Sequence, residues 1–203
     1  MATIQAPAVI GQAIRNLLAD SAPRDLFPGL QLRLCLAGNL TTTPFADLGV
    51  SIYLHRVSFN VSRRNLPPRL DRNGTRFKPS VPLDLHYLIT AWARTPDVQW
   101  ALLAWAIRVL EDTPVLPAGF LNQNAGSDAS GVPPEVFREE ESVELVGDIL
   151  TMQDLTNLWE IARHNQQPSV SFIARAVLID SNLALPTGRP VQTRAFDLAL
   201  PAR

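Results

Sequence analysis

Three histidines, one cysteine and a run of acids are the side chains of this protein whose types could do chemistry. His55, His86 and His164 belong to the residue type that changes charge near neutral pH and ligates metals as a neutral imidazole. They lie far apart in the chain. His55 falls in "VSIYLHRVSFNV" and His86 in "PLDLHYLITAWA", two alternating runs that read as strands. A shared site would need those strands to be neighbours and an acid to join the pair. A strand histidine is far more often a hydrogen-bonded structural residue, so no metal or catalytic role is assigned. Glu139, Glu140 and Glu141 offer members for an acid pair. Consecutive residues point in different directions, however, which favours a solvated acidic edge. Cys35 is the single cysteine, which excludes an intrachain disulfide and a thiolate zinc site. In "LQLRLCLA" it reads as a small buried hydrophobe. No GxxxxGK[ST], GxGxxG, GxSxG or HExxH motif is present. The expectation is a protein with no catalytic residue, cofactor, metal or small-molecule substrate.

The charge pattern is more informative. Arg56, Arg63, Arg64, Arg69, Arg72, Arg76 and Lys78 crowd into one stretch with a single acid, Asp71, although the net charge is only −1. Within it, "NLPPRLDRNGTRFKPS" makes a loop of about 20 residues, a length that is usually functional or disordered. Pro67, Pro68, Pro79 and Pro82 stiffen it, and Asn73-Gly74 suits a tight turn, so the loop is expected to double back as a β-like arm. A second stretch, residues 135–148, is acidic: Glu135, Glu139, Glu140, Glu141, Glu144 and Asp148 against Arg138. An arm of one subunit meeting the acidic surface of the next would build a head-to-tail ring. The alternative reading is a nucleic-acid-binding accessory protein that uses residues 56–78 for phosphate contacts. Phe77 is the only aromatic on the loop, and no helix carries a basic reading face, so nucleic acid is disfavoured.

The elements that position these residues follow from periodicity. Val9, Ile10, Ala13, Ile14, Leu17 and Leu18 predict a helix over 7–19. Three strands follow, in "LQLRLCLA", "VSIYLHRVSFNV" and "PLDLHYLITAWA". Thr95-Pro96-Asp97 starts a helix that runs to Asp112, with Trp100, Leu103, Ile107 and Leu110 as its apolar face. The four tryptophans read as core; an exposed one would mark an interface. That helix ends in Glu111 and Asp112, the wrong sign for its C-terminus. Residues 117–134 read as a surface segment. "SVELVGDIL" is a strand. Thr151 caps a helix with Asp154 and an apolar stripe of Leu155, Leu158, Trp159 and Ala162. "SVSFIARAVLID" is apolar throughout and predicts a central strand. Three antiparallel-type connections and two crossover helices give an α+β fold: one mixed, mostly antiparallel sheet of about five strands under three helices. The domain is expected over 1–183, with an extended C-terminal arm over 184–203. The opening residues lack a basic leader with an apolar block, so no signal peptide is expected, and "WALLAWAI" is too short to span a bilayer.

The ordered blocks "PLDLHYLITAWA", "LLAWAIRVLEDTPVLP", "LTMQDLTNLWEIA" and "PSVSFIARAVLID", preceded by "SRRNLPPR", resemble the tail-terminator or cap family of extracellular contractile injection systems. These systems are phage-tail-like particles. The resemblance covers about residues 5–182, in order. It implies a phage tail-terminator-like fold and a structural, non-enzymatic role. It further implies a homohexameric ring that ends the inner tube and engages the last sheath layer, with the inner tube protein and the sheath protein as partners. Such a protein is made in the cytoplasm and then joins the assembled particle. The resemblance assigns no binding residue; Arg56, Arg63, Arg64, Arg69, Arg72, Arg76, Lys78, Glu139, Glu140 and Glu141 are candidates from the charge pattern alone.

Overall fold

The structure, a computed structural model, describes residues 2–42, 44–45, 47–71, 73–126, 135–161 and 165–186. Three long strands make its frame: β2 (Gly49–Phe59), β5 (Val81–Trp92) and β8 (Ser169–Ile179). Their β-branched and aromatic alternation suits a pleated surface buried on one face. β2 and β5 pair antiparallel, as do β5 and β8. Strands β1 (Gln31–Leu34), β6 (Val115–Pro117) and β7 (Ser142–Asp148) complete a six-stranded sheet in the order β1-β2-β5-β8-β7-β6. β8 is central, as its apolar run predicts. A separate two-stranded ribbon pairs β3 (Arg69–Leu70) with β4 (Arg76–Phe77).

The fold class is the expected α+β, with two differences in the connections. β1 runs parallel to β2, because residues 35–48 cross back over the sheet before β2 begins. β7 and β8 pair antiparallel, so the helix between them, α4 (Met152–Ile161), is an excursion and not a crossover. The additional helix, α3 (Ala118–Gln123), comes from the segment read as loop, and the additional strand, β6, lies just before it and shares only Pro117 with it. Leu116 and Leu121 are fully buried there. The Asn122 carboxamide pins this segment to residues 136–137: its Oδ1 accepts from Val136 N (3.1 Å) and Phe137 N (2.9 Å), and its Nδ2 donates to Phe137 O (2.8 Å).

The main core lies on one face of the sheet, under α1 (Ala6–Asp20) and α2 (Pro96–Asp112). Ile10, Ile14 and Leu18 of α1 and Leu102 and Leu110 of α2 meet Leu85, Tyr87 and Ile89 of β5. Each such side chain contributes about 1.5–3 kcal/mol by leaving water. The buried face of α2 is Gln99, Leu102, Ala106 and Leu110, so Trp100 points outward and is 63% exposed, against the expected core position. Asp112, one of the two acids at the end of α2, pairs with Arg108 one turn back. On the opposite face α4 brings Trp159 against Trp92, with Leu88, Phe45 and Leu40 around them. The predicted Thr151 cap forms: Thr151 Oγ1 donates to Asp154 Oδ2 (2.6 Å) and accepts from Asp154 N (3.1 Å). Ala162, read as part of the α4 stripe, and residues 187–203 of the expected arm lie outside the described residues. No described helix is long and apolar enough to cross a membrane.

Candidate docking surface

The basic stretch folds as a built arm between β2 and β5. Asn60 opens it. Its Oδ1 accepts from Arg63 N (3.0 Å), and its Nδ2 donates to both oxygens of Asp84 (3.0 and 3.1 Å). Asp84 also accepts from Ala176 N (2.8 Å), which holds β8 at a point where Ala176 has φ 53°. That left-handed geometry is uncommon for a residue with a Cβ, and the Asp84 contact supports it. At the ribbon tip Asp71 Oδ1 accepts from Asn73 N (2.7 Å) and Thr75 N (3.0 Å), and Gly74 takes φ 76°, the left-handed turn its type allows. A third extended segment joins the ribbon: Lys78 N donates to Leu183 O (3.0 Å) and Leu185 N to Arg76 O (2.7 Å).

One carboxylate anchors the arm's root. Asp180, 5% exposed, stands 3.3 Å from Arg69 Nε and 2.8 Å from Arg138 Nη2, and accepts from Ser80 Oγ. The Arg69 guanidinium also lies 4.4 Å from the Phe77 ring centre. Arg69 is therefore spent inside the subunit: its side chain is 9% exposed and does not project from the arm as the sequence reading had it. Arg63, Arg64, Arg76 and Lys78 are exposed, with Arg64 5.3 Å over Phe59. Arg56 is exposed too, but on β2 beside a bulge and opposite His86, away from the arm. Arg72 lies outside the described residues.

The acidic stretch is less uniform than its composition. Glu135, Glu139 and Glu140 are exposed. Glu141 turns back to accept from Arg138 N (2.8 Å), Glu144 faces Arg175 at 3.9 Å, and Arg138 is held by Asp180. Arg63, Glu140 and Glu141 line one cleft of about 240 Å3. Arg63, Glu144 and Arg175 line another of about 390 Å3. The root of the arm and the acidic edge are thus two lips of one charged groove on the same subunit.

His55 and His86 do converge, with an acid. Their ring centres are 5.9 Å apart. Asp148 Oδ2 accepts from His86 Nδ1 (3.0 Å) and from Ser171 Oγ (3.3 Å). With those protons placed, His86 Nε2 accepts from Ser58 Oγ (3.1 Å), and His55 Nε2 donates to Ser171 Oγ (3.2 Å). Burial, with the neighbouring His86 ring, pushes the His55 pKa down to about 4, so its ring is neutral at pH 7. Asp148, His86 and Ser58 form a proton relay of the kind that activates a nucleophile. Ser58, however, sits on a regular strand. The cavity that opens on the cluster, about 240 Å3, is lined by His55, Arg56 and residues of α4 and its lead-in, with Ser58 and His86 outside its lining. The network satisfies the polar groups of a half-covered sheet face. Among the described residues no cluster of three or more His, Cys, Asp or Glu is arranged to hold a metal, and His164 lies outside them. The residues missed in sequence are Asp84 and Asp180; their signal is an acid set within or at the end of an apolar strand run, which requires an internal partner.

Residues 10–193 match the model of the family described as the Pvc16 N-terminal domain. No curated protein sequence matches the chain. Two solved structures share its fold. One is the sheath/tube terminator of an extracellular contractile injection system, PVC, in the extended state, with TM-score 0.61 and 17% identity over 96% of this chain and 64% of that one. The other is the anti-feeding prophage tube-terminating cap, with TM-score 0.57 and 13% identity over 95% of this chain and 60% of that one. The chain thus spans less than two thirds of either.

Proposed function

The chain belongs to the Pvc16 N-terminal domain family, and from that premise we propose that it caps the tube of a contractile injection particle. In this reading several copies, six by the resemblance, close into a ring on the last layer of the inner tube. The ring ends tube growth and meets the last sheath layer. The role is structural and uses no catalytic residue. The observation that carries it is the likeness to two terminators over nearly the whole of this chain, where the sheet, both main helices and the capped α4 fall. The exposed charges support the ring: Arg64, Arg76 and Lys78 of one arm are complementary to the exposed Glu135, Glu139 and Glu140 of a neighbour. Residues 184–203 are proposed to form an extended C-terminal arm, rooted on the ribbon where Ala184 pairs with Phe77. The test is to image particles from cells that lack the chain. Overlong or uncapped tubes are expected, and particles of unchanged length with closed ends would refute the reading.

A further inference from the structure

Trp100 is the one tryptophan among the described residues that stands mostly in water, 63% exposed on the outer side of α2. Trp92 is buried and donates its indole N–H to Ser51 Oγ (2.8 Å), whereas the N–H of Trp100 has no partner among the described residues. Asp97, also exposed, lies three residues before Trp100 and so on the same face of the helix. Ala101 and Ala104, exposed beside the ring, add no bulk to that face. A large ring with a free donor and a neighbouring anion, raised on a flat helix face, has the make-up of an interface anchor.

A complementary hole lies on the other face of the sheet. The β2 bulge between Leu54 and Arg56 turns His55 and Arg56 side by side toward α4. With Leu150, Asp154, Asn157 and Leu158 they line the cavity of about 240 Å3. That is room for about eight waters. It is less than a drug-sized ligand needs and enough for one large side chain. Leu150 and Leu158 supply an apolar floor, and beside Leu150 the side chains of Ile149 and Met152 are 95% and 78% exposed. His55 Nε2 donates to Ser171 Oγ (3.2 Å), which leaves the Nδ1 lone pair as an acceptor, and the ring is neutral at pH 7. Arg56 is exposed, with no carboxylate at ion-pair distance among the described residues. α2 and α4 lie on opposite faces of the sheet, so no subunit can bring its own Trp100 to its own cavity. A second copy can. We infer that Trp100 of one copy seats in the α4 cavity of a second, with its indole N–H donating to His55 Nδ1 and Asp97 meeting Arg56. Knob and hole are different surfaces, so the contact is heterologous and repeats from copy to copy. It goes beyond the capping role and does not depend on it.

The experiment uses the full chain and two variants. Trp100→Ala removes the knob and keeps the hole; Asn157→Trp fills the hole from α4 and keeps the knob. Both positions are exposed, so both variants are expected to keep the wild-type melting temperature. If Asn157→Trp melts early, Arg56→Glu, which repels Asp97, takes its place. In sedimentation each variant alone should self-associate about thirtyfold more weakly than the wild type, the loss expected of a central tryptophan. Mixed, the two should form a heterodimer that grows no further, because the hole of the first takes Trp100 of the second while the reverse contact is missing. Tryptophan emission of the wild type should shift to the blue as concentration rises, and Trp100→Ala should not show the shift. A Trp100→Ala chain that associates as strongly as the wild type would overturn the proposal. So would a mixture that associates no better than either variant alone, or a wild-type chain that stays monomeric in the millimolar range. Each result reports on the isolated chain, so it stands apart from the appearance of particles in cells.

Discussion

Asp180→Asn removes the charge that anchors the arm while keeping its shape. Asp180 and Arg69 are 5% and 9% exposed, so the change leaves a nearly buried guanidinium without its anion. Breaking a buried pair from one side costs about 3–5 kcal/mol, because the remaining charge is still out of water. Arg138, 29% exposed, can turn to solvent and adds little to that. For a chain of this size each kcal/mol lowers the melting temperature by about 2–4 °C, so a fall of roughly 6–20 °C is expected. Urea unfolding with an unchanged m-value measures the loss, and cleavage by trypsin within the arm should rise in parallel. The double variant Arg69→Met/Asp180→Asn provides the control, since it removes both charges and leaves an apolar chain against Phe77. It should lose less than Asp180→Asn alone. A cost below about 1 kcal/mol for Asp180→Asn, or a double variant as unstable as the two single losses added, would refute the buried-charge argument.

Other outcomes follow from the same geometry. Replacing Arg63, Arg64 and Arg76 with Glu should leave the melting temperature nearly unchanged, since all three are exposed, while self-association by light scattering falls; unchanged association would remove the arm from the docking surface. Arg69 does not belong in that set, because it is structural. Gly49→Ala would set a Cβ into the ring of buried Phe45, at a cost of about 1–3 kcal/mol readable as a shift in urea midpoint. His55 titrates near 4 in the folded chain against about 6.5 unfolded. As pH falls through that window the unfolded chain takes up the proton first. Stability should therefore be full above pH 6.5 and drop between 6.5 and 4 by about 1–2 kcal/mol, a figure discounted because the ring is half exposed. His55→Gln should flatten that slope in unfolding measured from pH 4 to 7.

Much of the frame was legible because single patterns specify it. The parity of Leu83, Leu85, Tyr87, Ile89 and Ala91 identified the core face of β5, and Thr151 with Asp154 identified the start of α4. α2 was harder. "WALLAWAI" is apolar on most sides, so periodicity cannot choose a face, and the buried Gln99 counted against the right one. The structure resolves this by letting Gln99 donate to Ala91 O (2.9 Å) and Gln167 Oε1 (2.8 Å), which leaves Trp100 outside. β6 and α3 were hidden because three- and six-residue elements carry too little period; Asn122 holds them through contacts 14 and 15 residues away. The histidine cluster needed the strand order, since His55 and Ser171 meet across 116 positions of sequence. The arm's turn chemistry was local and visible, whereas its anchor, Asp180, lies 111 positions beyond Arg69 (180 − 69) and was not.

The feet of the arm have a consequence for how this protein can diverge. Phe59 and Leu83 face each other across one strand pair, and Asn60 N closes the base on Pro82 O at 3.0 Å. Everything between them is an insertion in a hairpin whose ends are held together by the sheet. Doubling the length of such an insertion costs only about 0.6 kcal/mol of closure entropy. Evolution can therefore lengthen, shorten or recharge the tip without touching the core, provided that the root keeps an arginine for Asp180 and an aromatic beneath it. The arm is built as an interchangeable head on a fixed socket, and a foreign ribbon grafted between Asn60 and Pro82 should leave the melting temperature of the domain nearly unchanged.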